Sequence, residues 1–210
     1  MKKIGFLLLL FLIFTKSYSQ VEIRGVNKIA TQGIQSDSIN VSPNKDFEER
    51  IRIKPTKESK NDVEIRFYAH STLTDTRDLL IIQLHESTWK GIIFRETNYP
   101  KIKISKYKLK AKAELAEVYT TLLENNLTRL PNQEELKPKM RKVSMQDGWE
   151  VEHKLSVTDG TVYMVEFKIG DKFRVYSFHS PELYSEFYPD VQELKDYVAI
   201  KKIFETKLIE

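Results

Sequence analysis

Alternation of apolar and polar side chains begins abruptly at residue 63. Val63, Ile65, Phe67 and Ala69 share one parity against Glu64, Arg66, Tyr68 and His70, the period of a half-buried strand. Leu79 to His85 predicts a second strand, and its nearly unbroken apolar run places it inside a sheet. Trp89 to Glu96 predicts a third, reached through Glu86-Ser87-Thr88. Lys101 to Leu109 predicts a fourth, after a turn at Asn98-Tyr99-Pro100. Ala111, Leu115, Val118, Tyr119, Leu122 and Leu123 then recur at helical spacing, and Asn125-Asn126 with Pro131 closes that helix. The polar stretch from Pro131 to Gly148 reads as a long loop.

The scheme then repeats. Trp149, Val151, His153, Leu155 and Val157 form one face of a strand, and Asp159-Gly160 predicts a tight hairpin because both residues tolerate positive φ. The return strand, Thr161 to Ile169, turns Tyr163, Val165 and Phe167 inward, and Gly170-Asp171-Lys172 leads into Phe173 to Phe178. Ser180-Pro181 opens a short helix, and Tyr188-Pro189 ends it before a last helix carrying Val191, Leu194, Val198 and Phe204. No helix separates consecutive strands, so the expected class is α+β: antiparallel strands with helices packed on one face. Residues 63–210 form this α+β domain, with two similar halves, 63–130 and 149–210, joined by the polar loop.

Upstream, residues 20–62 are poor in large apolar groups and dense in charge, the composition of a polar, flexible arm. Residues 1–19 read as a signal peptide. Lys2 and Lys3 precede an apolar run from Ile4 to Phe14, and Ser17-Tyr18-Ser19 offers small residues before Gln20. That run is shorter than the ~20 residues a membrane-spanning helix needs. The expected product is exported, soluble after cleavage, and periplasmic or secreted, with no transmembrane segment.

The leader alters the charge argument. The chain carries 34 Lys and Arg against 30 Asp and Glu, but Lys2, Lys3 and Lys16 leave with it, so 31 basic side chains face 30 acidic ones. Such a balance does not predict nucleic-acid binding. The chain has no cysteine, so it forms no disulfide, and about 190 residues can hold an ordinary core without one. Signal, composition and layout together resemble the small exported proteins of the Bacteroidota, which implies a bacterial envelope compartment and no particular activity.

Candidate chemistry is sparse. The sequence contains no G-x-S-x-G elbow, no phosphate loop and no H-E-x-x-H, and its four histidines (His70, His85, His153, His179) lack metal-ligand spacing. No metal or cofactor is expected. Glu150 and Glu152 lie on the polar parity of their strand beside Lys154, as on a solvated face, and His153 lies on the apolar parity, as a hydrogen-bonded core residue. The sharpest feature is a run of lysines. Lys101, Lys103, Lys106, Lys108 and Lys110 alternate with other residues, with one frame slip at Ser105 that fits a bulge. As an anion-facing stripe they would meet lipid A, acidic glycan or polynucleotide; as edge protection they would deter strand pairing, which is the favoured reading. Lys137, Lys139, Arg141 and Lys142 add a second basic cluster. Arg174, Tyr176 and Phe178 share one parity and form either an aromatic binding surface or, as favoured, a core face under the last helices.

These readings lead to a non-catalytic protein that binds an envelope protein or glycan. The alternatives are a hydrolase built from dispersed carboxylates with His70 or His179, and an inhibitor or immunity-type protein.

Overall fold

The protein is described from a computed structural model covering residues 42–208, with 20, 21, 29, 30, 34, 36 and 37. The expected signal peptide lies outside the described residues. In chain order the elements are β1 (Gln20–Val21), β2 (Ile29–Ala30), α1 (Lys45–Arg50), β3 (Val63–Ser71), β4 (Thr76–His85), β5 (Thr88–Thr97), β6 (Lys103–Lys108) and α2 (Leu115–Glu124). They continue with β7 (Lys142–Gln146), β8 (Trp149–His153), β9 (Thr161–Ile169), β10 (Lys172–His179), α3 (Pro181–Phe187) and α4 (Gln192–Lys207). The fold is α+β: among the described residues, a six-stranded antiparallel sheet of order β10-β9-β3-β4-β5-β6, two separate two-stranded pairs, β1–β2 and β7–β8, and four α-helices.

Within the sheet, β4 and β5 pair through a tight turn. Glu86 and Ser87 take φ of 47° and 68° between β4 and β5, the backbone a two-residue hairpin needs to match the sheet twist. The two sequence halves do not form two lobes. β9 pairs with β3, Ile65 opposite Phe167, so strands from both halves share one sheet and one core.

The first face of the sheet carries the parity read from the sequence. Val63, Ile65 and Phe67 meet Val165, Phe167, Leu80 and Ile82, under Leu194, Tyr197, Ile200 and Phe204 of α4 and Val118, Tyr119 and Leu122 of α2. Phe67 and Phe204 stack at 4.3 Å with 7° between their rings. Gly91 of β5 leaves room for Leu109, whose side chain lies within 2.4 Å of where a Cβ would stand.

The second face is where the polar-arm expectation for 20–62 meets a different structure. Over residues 42–62 the chain folds back across Tyr68, Leu79, Ile81 and Phe94, and Phe47 of α1 is 1% exposed among them. The segment is poor in apolar residues, and it is attached by Phe47 with Ile51 and Ile53 packed beside it, together with a few polar side chains. Ile34, further upstream, joins the core of the first face.

Two loop readings also change. Asp159-Gly160 does not close a hairpin; Thr72 donates its backbone N–H to the Gly160 carbonyl at 3.2 Å, and residues 154–158 form no strand. The hairpin turns instead at Asp147-Gly148, with φ of 50° and 80°, and pairs Gln146 with Trp149 and Lys142 with His153. The stretch read as loop therefore contains β7. Its alternating Val143 and Met145 bury too little to distinguish a strand from a loop by composition.

Candidate functional site

β6 is the outer strand of the sheet, and it carries the lysine run. Lys101, Lys103, Lys106, Lys108 and Lys110 are all exposed. The register with β5 runs unbroken from Ile92–Lys108 to Thr97–Lys103, so there is no bulge at Ser105. The frame slip instead divides the lysines: Lys103 shares a face with Ser105 and Tyr107, while Lys106 and Lys108 share the other with Ile104. A single flat stripe of ammonium groups is not formed.

The aromatic set Arg174, Tyr176 and Phe178 is no binding surface. Tyr176 is 0% exposed and Phe178 2%, because α4 covers them; Tyr197 stacks on Phe178 at 4.7 Å. Arg174 donates from Nη2 to the Leu130 carbonyl at 2.9 Å.

Sequence reasoning missed a buried charge network on the second face. The polar parity of β3 looked solvated. Instead, Arg66 donates to Glu48 at 2.5 Å and to Glu64 at 2.7 Å, and the Tyr68 hydroxyl donates to Glu48 at 2.6 Å. Glu64 also receives Ser59, Asn61 and Gln83. Glu166 accepts Ser42 at 2.8 Å and Thr56 at 2.6 Å. Burial raises the Glu166 carboxyl above the usual carboxylate range and Glu48 adds to the rise, while Thr56, Ser42 and Arg66 oppose it. Both Glu166 oxygens are occupied by hydroxyls, so the network fastens one layer to another. The only sequence signal was the polar alternation itself, which reads identically for a solvated face.

The histidines do not converge. His70 and His179 each lie opposite Val162, on either side of β9, two strand spacings or about 10 Å apart. Among the described residues, no group of three or more His, Asp or Glu is placed to hold a metal ion. The His179 ring meets its neighbour Ser180 at 3.3 Å, and His153 is half-buried beside Ser144 at 2.7 Å.

The surface features that do converge surround the β7–β8 hairpin. Two clefts open at its base, of about 370 Å³ and about 380 Å³. Tyr188 of the α3–α4 turn is common to both. The first cleft sets Met140, Leu155 and Tyr184 among Glu134, Lys137, Glu152 and Lys154; the second sets Phe187 and Pro189 among Lys139, Arg141, Lys142 and Asp190. The Tyr188 hydroxyl accepts the Leu155 N–H at 3.2 Å, which fixes the shared wall. Lys142 places its ammonium 4.3 Å over the Phe187 ring, a cation–π contact joining hairpin to helix. Lys139 pairs with Glu193, whose carboxyl that hydrogen bond holds below the usual range. The basic cluster expected in the polar loop therefore rims both clefts.

Above them the hairpin tip exposes two apolar side chains among Gln146, Asp147, Gly148 and Glu150. Trp149 is 77% exposed and Met145 68%, and the register sets them on opposite faces of the tip. A tryptophan so exposed on the same hairpin whose base borders two clefts has the form of a contact surface.

No protein-family model, curated protein or solved structure matches the chain, so the site stands on its own geometry. Among the described residues no helix is long and apolar enough to cross a membrane.

Proposed function

We propose that this is an exported, non-catalytic binding protein whose recognition surface is the β7–β8 hairpin with the two clefts at its base. The observation carrying this reading is Trp149, 77% exposed on the separate β7–β8 hairpin, with Met145 exposed on the opposite face. Exposed aromatics next to pockets are the usual anchors of protein and glycan recognition. The lysines and Arg141 around Tyr184, Phe187 and Tyr188 suit an envelope protein or glycan that offers both a stacking surface and negative charge. Export rests on the sequence of residues 1–19 alone.

Affinity capture from envelope extract, comparing the native chain with Trp149→Ala, tests the binding surface. The expected result is a partner retained by the native chain and lost by the variant at unchanged melting temperature. A partner held equally by both would remove the hairpin from the proposal. Intact mass of the exported protein tests the leader: a chain starting at Gln20 is expected, and one retaining Met1 to Ser19 would withdraw the cleaved form.

A further inference from the structure

The two edges of the six-stranded sheet are finished differently. On β10, every outward backbone N–H has a side-chain acceptor. Phe173 donates to Ser36 at 3.2 Å, Val175 to Asp37 at 2.7 Å, Ser177 to Asn132 at 3.1 Å and His179 to Gln133 at 2.6 Å. That edge is closed to any further strand.

β6 has no such cover. Leu109 donates to the Gly91 carbonyl at 3.0 Å, and in an antiparallel ladder the inward-bonding positions alternate. Residues 103, 105 and 107 therefore face β5, and the N–H and C=O groups of Ile104, Lys106 and Lys108 point away from the sheet. Among the described residues none of these outward groups has a partner. The side chains around this edge are of two kinds. Lys101, Lys103, Lys106, Lys108 and Lys110 are exposed, with no carboxylate at ion-pair distance among the described residues. Tyr99, Ile102 and Tyr107 are 89%, 61% and 54% exposed. On the second face, a groove of about 300 Å³ reaches from Lys106 and Phe94 to Ile53 and Lys54.

We propose that the β6 edge is a strand-addition site for an extended acidic polypeptide segment. The backbone of Ile104, Lys106 and Lys108 supplies the ladder, which gives affinity without regard to sequence. Lys106 and Lys108 share one face and take acidic side chains two positions apart on the incoming strand; Tyr107, on the other face, takes an apolar one. Charge excludes the alternative occupant. A second copy pairing β6 to β6 would set its own lysines against these, and like charges on neighbouring strands repel. The lysines thus reject copies of this chain and admit an acidic strand. The same split of Lys103 from Lys106 and Lys108 that spoils a flat anion-binding face is the arrangement an added strand requires. The site is separate from the hairpin clefts and does not depend on them.

The test uses the folded chain and a fluorescent peptide of alternating glutamate and valine, with two control peptides. One has its edge-facing nitrogens methylated, keeping the charge and removing the ladder; the other has lysine for glutamate. The native chain is expected to bind the first peptide, and neither control, with amide shifts confined to β5 and β6. Lys106→Glu with Lys108→Glu should weaken the acidic peptide roughly tenfold or more and admit the lysine peptide. Trp149→Ala should bind as the native chain does, which separates this site from the hairpin. Equal binding of the methylated peptide would reduce the edge to plain charge attraction and overturn the proposal. Failure of the native, folded chain to bind the acidic peptide would overturn it as well.

Discussion

Thr56 donates its hydroxyl to Glu166 across 2.6 Å, joining a segment just upstream of the sheet to the middle of β9. Both residues are buried, 1% and 0% exposed. Ser42 holds the other oxygen of the same carboxylate, so residues 42 and 56 are pinned to one side chain more than a hundred positions away in the chain.

Truncation reads out this attachment. A chain starting at residue 42 should melt cooperatively. One starting at residue 61 should lose cooperative melting or drop sharply in Tm, because Arg66, Tyr68 and Glu166 would lose Glu48, Ser42 and Thr56 as partners and Phe94 and Ile81 their cover. Phe47→Ala should cost about 3–5 kcal/mol by urea denaturation, the usual range for a buried phenylalanine. A residue-61 chain as stable as the longer one would return the segment to the status of an arm.

Glu166 also predicts a pH effect of definite sign. Its carboxyl pKa is raised in the folded chain, chiefly by burial, so the folded state holds the proton more tightly than the unfolded one. Its contribution is complete below the ordinary carboxylate range and is lost as pH rises through the raised value. Glu166→Gln removes this dependence. Urea denaturation across about pH 4 to 8 should show the variant gaining on the native chain as pH rises, with the change concentrated above the ordinary carboxylate value. A gap independent of pH would mean that Glu166 ionises alike in both states.

The contrast between the two sheet faces explains what was legible in the sequence. Val63, Ile65 and Phe67 announced their core because an apolar parity must be buried somewhere, and the strands, α2 and α4 followed from the same rule. Glu64, Arg66 and Tyr68 announced nothing, because a polar parity is equally compatible with water and with a satisfied network. The covering layer escaped notice for a related reason. Residues 42–62 attach through Phe47, Ile51 and Ile53 with Ser42, Glu48 and Thr56, and three apolar groups among so many charges are too few to register in a window. At the hairpin, Asp147-Gly148 and Asp159-Gly160 were equally good turns, and choosing between them required knowing that β9 pairs with β3. The clefts were invisible because Tyr188, Leu155 and Lys142 meet only in space.

Gly91→Ala should expose a tight contact. The added methyl would stand 2.4 to 3.0 Å from Leu109 side-chain atoms, inside the packed first face. Leu109 must shift, and β6 hangs on β5 at this point through the Leu109 N–H. A loss of about 1–3 kcal/mol is expected, the range for overpacking. Gly91→Ala combined with Leu109→Ala should lose less than the sum of the two changes, since the clash disappears with the leucine. Additive losses would place the strain elsewhere.

The lysines of β6 make the last prediction, which concerns the edge without any ligand. Lys103→Thr, Lys106→Thr and Lys108→Thr together keep strand propensity and remove three charges from the outward edge. Tyr99, Ile102 and Tyr107 stay exposed beside it. The β10 edge offers no competing site, because Ser36, Asp37, Asn132 and Gln133 already occupy its N–H groups. Association should therefore proceed through β6 alone and stop at a dimer joined edge to edge, since β6 is used once in each copy. Sizing chromatography with light scattering should find the native chain monomeric and the triple variant dimeric at the same concentration. Lys106→Pro in place of Lys106→Thr in that variant should restore the monomer, because proline removes an outward N–H from the shared ladder. A triple variant that stays monomeric would show that charge is not what keeps this edge single, and larger aggregates in place of a dimer would show that the closed β10 edge is not closed in solution.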